Sequence, residues 1–179
     1  ALSAQGYHSY LIDRAGELGG NARNVNETWQ NENIQDNLDR MISEVNADQN
    51  IDIFTGSEIT DVDGFIGNFK TTIQNGDTPQ TLEHGVTIIA AGASELKPDQ
   101  FLYGEDDRVL TGLEMETRLR AADPGLAELD TALFIQCVGS RIPDRPYCSK
   151  LCCTQSIKNA MALKAINPDI NVYVLYQDM

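Results

Sequence analysis

The spacing of apolar residues predicts where the helices of this chain lie. Between residues 31 and 46 the apolar side chains recur mostly every three or four positions, the period of an amphipathic helix. These positions are Ile34, Leu38, Met41, Ile42 and Val45. Residues 111–121 and 148–165 are predicted to be helical as well, and Asn167-Pro168 ends the second of these helices.

Runs of apolar and β-branched residues predict the strands. Residues 86–90 and 131–136 are nearly continuous runs of this kind, so both are expected to be buried strands, the first of them central in its sheet. Shorter strands are expected over residues 7–13, 51–55 and 171–176.

Alternating polarity predicts a hairpin in the first half of the chain. Residues 58–63 and 68–73 alternate apolar and polar positions on either side of Gly64 and Gly67, and residues 79–83 are taken as one more strand. The elements together indicate an α/β protein with a small antiparallel insert over residues 51–84.

The two ends of the sequence read as the ends of an internal fragment. Residues 1–6 resemble the last turn of a helix closed by a glycine, and a strand with an acidic end and a glycine pair follow. This order matches the second half of a dinucleotide-binding βαβ unit, without its opening strand and G-x-G-x-x-G turn. The strand over residues 171–176 is followed by only three residues.

Composition and charge narrow the classes of partner. The chain has 179 residues, 41% of them hydrophobic, and a net charge of −14, so we expect neither nucleic acid nor anionic lipid as a partner.

The longest apolar run, residues 86–92, is far short of the roughly 20 residues that a bilayer crossing needs, and no leader is visible. Direct membrane insertion is therefore not expected. Four cysteines without a secretory context indicate a reducing, cytoplasmic setting.

The four cysteines form the strongest chemical signal. Cys137, Cys148, Cys152 and Cys153 fall within seventeen residues with the spacing C-x10-C-x3-C-C. Cys137 closes a predicted strand, and the other three open a predicted helix, where Cys148 and Cys152 would share one face. The free N–H groups of that helix end favour thiolates and an anionic cluster.

Three uses of these thiols compete. They can hold a [4Fe–4S] cluster, whose corners tolerate irregular spacing. They can hold zinc, although adjacent cysteines fit the usual paired knuckles badly. They can also form redox disulfides, although the usual C-x-x-C is absent. The spacing alone leaves these three alternatives open, together with a fourth in which the thiols are inert.

A weaker signal concerns a nucleotide. Asp13 at a strand end could accept hydrogen bonds from an adenosine ribose, and Gly19-Gly20 could let the backbone approach a pyrophosphate. A solvated aspartate followed by an ordinary turn explains the same residues equally well. The run of small residues over 90–93 lets either a cofactor or a neighbouring strand come close.

The cysteine window resembles a known family. The segments concerned are Cys137-Val-Gly-Ser-Arg141, Arg145-Pro-Tyr-Cys148, Cys152-Cys-Thr-Gln-Ser-Ile-Lys-Asn159 and Val172-Tyr-Val-Leu-Tyr176. They are similar to the flavin-binding A component of heterodisulfide reductase and to related flavoproteins of the quinone-interacting membrane-bound oxidoreductase complex. Leu18-Gly-Gly20 and residues 88–93 also resemble that family, so the resemblance runs nearly end to end.

The resemblance implies a thioredoxin-reductase-like core with two Rossmann-type halves. A partial FAD-binding Rossmann-like domain would cover residues 1–125, and the start of a second Rossmann-like domain would cover residues 126–179. Two cofactors are implied, FAD and a [4Fe–4S] cluster; the complete protein is expected to bind FAD, and its retention by the fragment stays open.

The resemblance also assigns roles to single residues. The cluster ligands would be Cys137, Cys148, Cys152 and Cys153. The FAD residues would be Asp13, Gly19, Gly20 and Gly92. The implied function is that of an oxidoreductase subunit that passes electrons between flavin and the iron–sulfur centres of partner subunits.

Overall fold

The computed structural model describes residues 1–177. Helices and strands follow one another in this order: β1 (Ser9–Ile12), α1 (Ile34–Ala47), β2 (Ile51–Phe54), β3 (Glu58–Phe65), β4 (Asn68–Asn75), β5 (Thr78–His84), α2 (Gly112–Arg120), β6 (Thr131–Ile135), α3 (Cys152–Ile166) and β7 (Asn171–Leu175). Short 3₁₀ turns occur at Ser3–Gln5, Gly20–Asn24 and Pro124–Glu128. Parallel and antiparallel strand pairs with intervening helices confirm the α/β class.

The chain divides into two compact units. The first comprises Ala1–Arg23 and Asp36–Ala93, and the second comprises Asn24–Gln35 and the chain from Ser94 onward. The division between residues 125 and 126 that the resemblance implies stays a prediction.

The first unit contains a parallel strand pair and an antiparallel sheet. Strands β1 and β2 pair in parallel, with Ser9 opposite Ile51, so β2 does not belong to the antiparallel insert in which the sequence placed it. The predicted hairpin is confirmed, since β3, β4 and β5 form a three-stranded antiparallel sheet. Ile73 and Leu82 are its buried apolar residues.

Gly64 allows the β3–β4 hairpin to close. Its φ is +100°, and a Cβ placed there would lie 2.1 Å from the carbonyl oxygen of Asn68. Only glycine combines this backbone conformation with so close an approach of the partner strand.

The expected central strand over residues 86–90 is wrong. The segment belongs to no strand, and Val86, Ile88 and Ile89 are 72%, 67% and 86% exposed. A strand needs a hydrogen-bonded neighbour, and within residues 1–177 no strand pairs with this segment. The apolar, β-branched composition therefore indicates a tendency to form a β-strand, but the described residues supply no strand to pair with this segment.

The second unit is built around one βαβ crossover. Strands β6 and β7 pair in parallel, with Thr131 opposite Asn171, and α3 connects them. The C-terminal end of α3 lies beside the start of β6, because the amide Nδ2 of Asn167 donates to the carbonyl of Leu129 at 3.0 Å. Helix α3 therefore runs antiparallel to the two strands.

One face of this sheet is packed and the other is open. Leu126, Leu163 and Ile170 form the buried cluster, and Ala132, Phe134 and Val172 are among the residues packed against it. Leu133 and Tyr173, which are opposite each other on the other face, are 53% and 57% exposed. The strand predicted over residues 131–136 is confirmed as β6, but its expected burial is wrong, because the described residues cover only one face.

Helix α2 has well-defined ends. Thr111 and Glu114 form a capping box, in which the Thr111 N–H donates to the Glu114 carboxylate at 2.8 Å. At the other end, the N–H groups of Ala122 and Asp123 donate to the carbonyls of Leu119 and Arg118, which is a Schellman motif. Among the described residues no helix has the length and apolar character that crossing a bilayer requires.

Candidate functional site

The four cysteines lie on the loop between β6 and α3 and on the first turn of α3. Cys137 is half-buried, just beyond the end of β6, and its carbonyl accepts the Ser140 N–H at 3.2 Å. Further along the loop, the Arg141 N–H donates to the Tyr147 carbonyl, and Ile142 and Arg145 bond to each other in both directions. These bonds fold the loop back on itself before α3 begins.

Left-handed backbone conformations are concentrated in this window. Cys137, Arg141 and Lys150 have φ values of 62°, 59° and 60° although none of them is glycine. Such conformations cost free energy for L-residues and often accompany functional sites. The loop therefore holds strained backbone where the candidate ligands lie.

Gly139 lets this loop pack against Leu96. Its φ is +69°, and an added Cβ would lie 1.9 Å from the Cδ2 atom of Leu96. The Gly139 carbonyl also accepts a hydrogen bond from the Arg145 guanidinium at 3.4 Å.

Cys148 lies outside the helix, and its predicted position is wrong. Helix α3 begins at Cys152, because Lys150 is left-handed and interrupts any regular helix that would start at Cys148. Cys148 and Cys152 therefore do not share a helix face. The Cys148 sulfur instead accepts the Lys150 N–H at 3.3 Å.

The other contacts of the thiols are few. The Ser149 hydroxyl and the Cys152 sulfur are 3.0 Å apart. Cys148, Cys152 and Cys153 are exposed, and all four cysteines are free thiols. Leu151 precedes the helix without any side-chain hydrogen bond to its first N–H groups, which leaves those donors available.

The residue types of the cysteine window suit a metal centre. Four free thiols, two of them on the first turn of a helix with uncapped N–H groups, fit the donor chemistry of an iron–sulfur cluster and of zinc. Within residues 1–177 no group of three or more Cys, His, Asp or Glu side chains is close enough to hold a metal ion. The ligand assignment to Cys137, Cys148, Cys152 and Cys153 stays a prediction.

Asp13 lies directly after β1, at the carboxyl end of the parallel pair. Its N–H donates to the Phe54 carbonyl at 2.9 Å, and its carboxylate accepts the Ala15 N–H at 2.9 Å. The hydrogen bond to β2 thus fixes the backbone of Asp13. The hydrogen bond from Ala15 to the carboxylate stabilises a turn of the chain before the glycine pair. Carboxyl ends of parallel strands are where open α/β sheets bind ligands.

One hydrogen bond connects two of the predicted glycine segments of the first unit. The amide Nδ2 of Asn21, the residue after Gly20, donates to the carbonyl of Ala93, the residue after Gly92, at 2.6 Å. Gly20 and Gly92 have φ values of 49° and 66°, and a Cβ at either position would meet nothing within 4 Å. Gly19 is tighter, since a Cβ there would lie 3.1 Å from the Arg23 side chain. The roles of Asp13, Gly19, Gly20 and Gly92 in binding FAD stay predictions.

The sequence analysis missed a set of buried polar side chains in the second unit. Glu116 on α2 is 1% exposed and forms an ion pair with Lys158 on α3. Gln136 and Asn159 are 7% and 1% exposed, and Gln136 Nε2 and Asn159 Oδ1 have no hydrogen-bond partner among residues 1–177. A signal was available, because Asn159 lies four residues before Leu163, on the face of α3 that packs against the sheet.

Curated proteins similar to this chain are components of heterodisulfide reductase. The first iron–sulfur A component of the CoB–CoM heterodisulfide reductase of Methanopyrus kandleri is 25% identical over 274 aligned positions, which cover 99% of this chain. The A component of the H(2):CoB-CoM heterodisulfide,ferredoxin reductase of Methanothermobacter marburgensis is 35% identical over 55% of this chain. The resemblance inferred from the sequence is confirmed. No family model matches the chain.

The chain spans only part of these relatives. It covers 41% of the length of the Methanopyrus protein, and the region matched in the Methanothermobacter protein is 17% of that protein. The alignment of 274 positions is also longer than the chain, so the Methanopyrus protein carries internal sequence without a counterpart here.

The fold also has a relative among solved structures. The crystal structure of L-proline dehydrogenase from P. horikoshii matches 93% of this chain with a TM-score of 0.50 at 13% identity. The match covers 30% of that chain and supports the α/β, Rossmann-like class alone.

Proposed function

We propose that this chain, a relative of the A component of heterodisulfide reductase, is part of an oxidoreductase subunit that carries FAD and a [4Fe–4S] cluster. In this role the protein passes electrons between the flavin and the iron–sulfur centres of partner subunits. The observation that carries the proposal is the similarity to that component over 99% of the chain, with four free cysteines in one loop and helix start.

The cluster would be held by the thiolates of Cys137, Cys148, Cys152 and Cys153. The uncapped N–H groups at the start of α3 support this assignment, because they favour negative charge on nearby sulfur. Lys150 adds a backbone donor to the Cys148 sulfur. A bound [4Fe–4S] cluster supplies one-electron transfer.

FAD would be bound by the first unit. Asp13 would accept hydrogen bonds from the adenosine ribose, and Gly19 and Gly20 would leave room for the pyrophosphate. The open space above Gly20 and Gly92, and the hydrogen bond from Asn21 to Ala93, support this placement. FAD supplies the exchange between two-electron and one-electron chemistry.

The partners we propose are other iron–sulfur subunits of a heterodisulfide-reductase-like complex. The names of the relatives describe one component of a reductase, designated by the letter A. Four free thiols require a reducing compartment to stay reduced, so the proposed location is the cytoplasm.

Metal analysis of anaerobically purified protein, reconstituted with iron and sulfide, tests the proposal. About four irons and four sulfides per chain are expected, with an electron paramagnetic resonance signal after dithionite reduction. Cys152→Ser should lower the iron content and alter the signal, whereas Met161→Ser should do neither. Met161 is the matched control because it removes a sulfur from an exposed position of the same helix.

Two outcomes contradict the cluster. One zinc per chain without a reduced-cluster signal would indicate a zinc-stabilised structural domain. Wild-type protein without metal, whose exposed thiols form disulfides reversibly under mild oxidation, would indicate a dithiol oxidoreductase. Thiol titration before and after mild reduction distinguishes that second outcome.

A further inference from the structure

Two buried amides in the second unit have complementary atoms without partners. Gln136 Nε2 is a donor and Asn159 Oδ1 is an acceptor, and neither makes a hydrogen bond within residues 1–177. An unpartnered polar atom in a protein interior is costly, and one hydrogen bond between these atoms would satisfy both.

The topology places the two side chains at the same level of the helix–sheet interface. Phe134 on β6 packs against the cluster that contains Leu163 on α3. Gln136 lies two residues beyond Phe134 on the same side of the extended chain, an advance of about 6.6 Å along the strand. Asn159 lies four residues before Leu163, about 6 Å along the helix. Because α3 runs antiparallel to β6, both steps go in the same direction.

The next level in that direction contains the candidate ligands. Cys137 directly follows Gln136, and Cys152 lies seven residues before Asn159 on the same face of α3. The two amides therefore lie between the apolar core of the second unit and the cysteine window.

We propose that Gln136 and Asn159 form a hydrogen-bonded pair that seats the first turns of α3 against the end of β6. The pair then holds Cys152 in register with Cys137 when the four thiols are gathered around a metal centre. Both are positioning residues, and the inference rests on the proposed function.

The driving force comes from the unpaired state itself. Within the described residues no three of the thiols are close enough together to hold a metal ion, and the two amide atoms are unpartnered. In the proposed arrangement the hydrogen bond satisfies both amides while the thiols gather around the metal, so each event favours the other. Outer groups that orient metal ligands commonly contribute about 10- to 100-fold in metal affinity.

A double-mutant cycle tests the pair. Gln136→Met, Asn159→Leu and the double variant are prepared anaerobically and titrated with cobalt(II), whose thiolate absorption reports ligation. Each single variant is expected to bind cobalt about 10- to 100-fold more weakly. The double variant should lose no more than one single variant, because it leaves no buried amide without a partner.

Controls separate this inference from the proposed function. Gln80→Met, which replaces an exposed amide in the first unit, should bind cobalt like the wild type. Losses that simply add in the double variant, or unchanged single variants, would overturn the pair while leaving the cluster in place. Wild-type protein that binds neither iron and sulfide nor cobalt would overturn the proposed function, and the pair with it. Near-ultraviolet circular dichroism of every variant checks that the fold is retained.

Discussion

Lys158 on α3 and Glu116 on α2 form an ion pair in the interior of the second unit. Glu116 is 1% exposed, and Lys158 Nζ also donates to the backbone carbonyl of Glu27 at 3.1 Å. One ammonium group therefore joins the helix that carries two candidate ligands to a second helix and to the segment around residue 27.

Removing Lys158 should destabilise the protein strongly. Lys158→Met leaves the Glu116 carboxylate buried without its partner, which typically costs about 3 to 5 kcal/mol. Urea unfolding of the variant measures this cost. Lys70→Met is the matched control, because Lys70 pairs with Glu83 on the surface and such pairs contribute about 0 to 1 kcal/mol. Equal losses from the two variants would contradict a buried role for Lys158.

Gly139→Ala should destabilise the cysteine loop. A side chain at this left-handed position costs about 1 to 2 kcal/mol, and the Cβ also collides with Leu96. Adding Leu96→Ala should recover part of the loss by removing the collision while the backbone cost remains. Urea midpoints of the single and double variants measure both contributions; if Leu96→Ala gives no recovery, the collision plays no part.

Ala122→Gly should stabilise the protein. Ala122 has a φ of 49° in the Schellman motif at the end of α2, a position that glycine adopts without steric cost. The expected gain is about 0.5 to 1 kcal/mol, measured by thermal or urea unfolding. Ala127→Gly, in a 3₁₀ turn without this requirement, is the control and should bring no gain.

Glu114 should make the stability of the second unit depend on pH. Hydrogen bonds from the Thr111 backbone, the Tyr103 hydroxyl and Lys97 hold the pKa of Glu114 below its ordinary value of 4.5. The ionised form therefore stabilises the fold above pH 4.5, and this contribution is lost as the pH falls through the lowered pKa. Glu114→Gln should lower the free energy of unfolding at pH 7. On acidification, its free energy of unfolding should fall less than that of the wild type. Urea midpoints at neutral and acidic pH check this, with the exposed Glu105→Gln expected to behave as wild type.

Local sequence predicts the elements whose causes are local. The β3–β4 hairpin follows from alternation around Gly64. Helix α2 is predicted over residues 111–121 and runs from Gly112 to Arg120. Helix α1 is predicted over residues 31–46 and runs from Ile34 to Ala47. In each case neighbouring residues determine the structure, so a short window is sufficient.

The errors come from features that depend on distant residues or on one backbone angle. Apolar composition over residues 86–90 could not reveal that no described strand pairs with that segment. The left-handed Lys150 could not be read from the sequence, so the predicted helix includes Cys148 although α3 begins four residues later. The ion pair of Glu116 and Lys158 joins residues 42 positions apart and carries no local signature.

The open face of the β6–β7 sheet has a consequence for handling the protein in solution. Leu133 and Tyr173 present apolar surface to water, while a net charge of −14 makes the molecules repel one another. Salt shortens the range of that repulsion to about 8 Å at physiological ionic strength, and acid removes the charge itself. The protein should therefore resist aggregation best in dilute buffer at neutral pH. It should aggregate most readily near the isoelectric point, where charge repulsion no longer keeps the apolar faces apart.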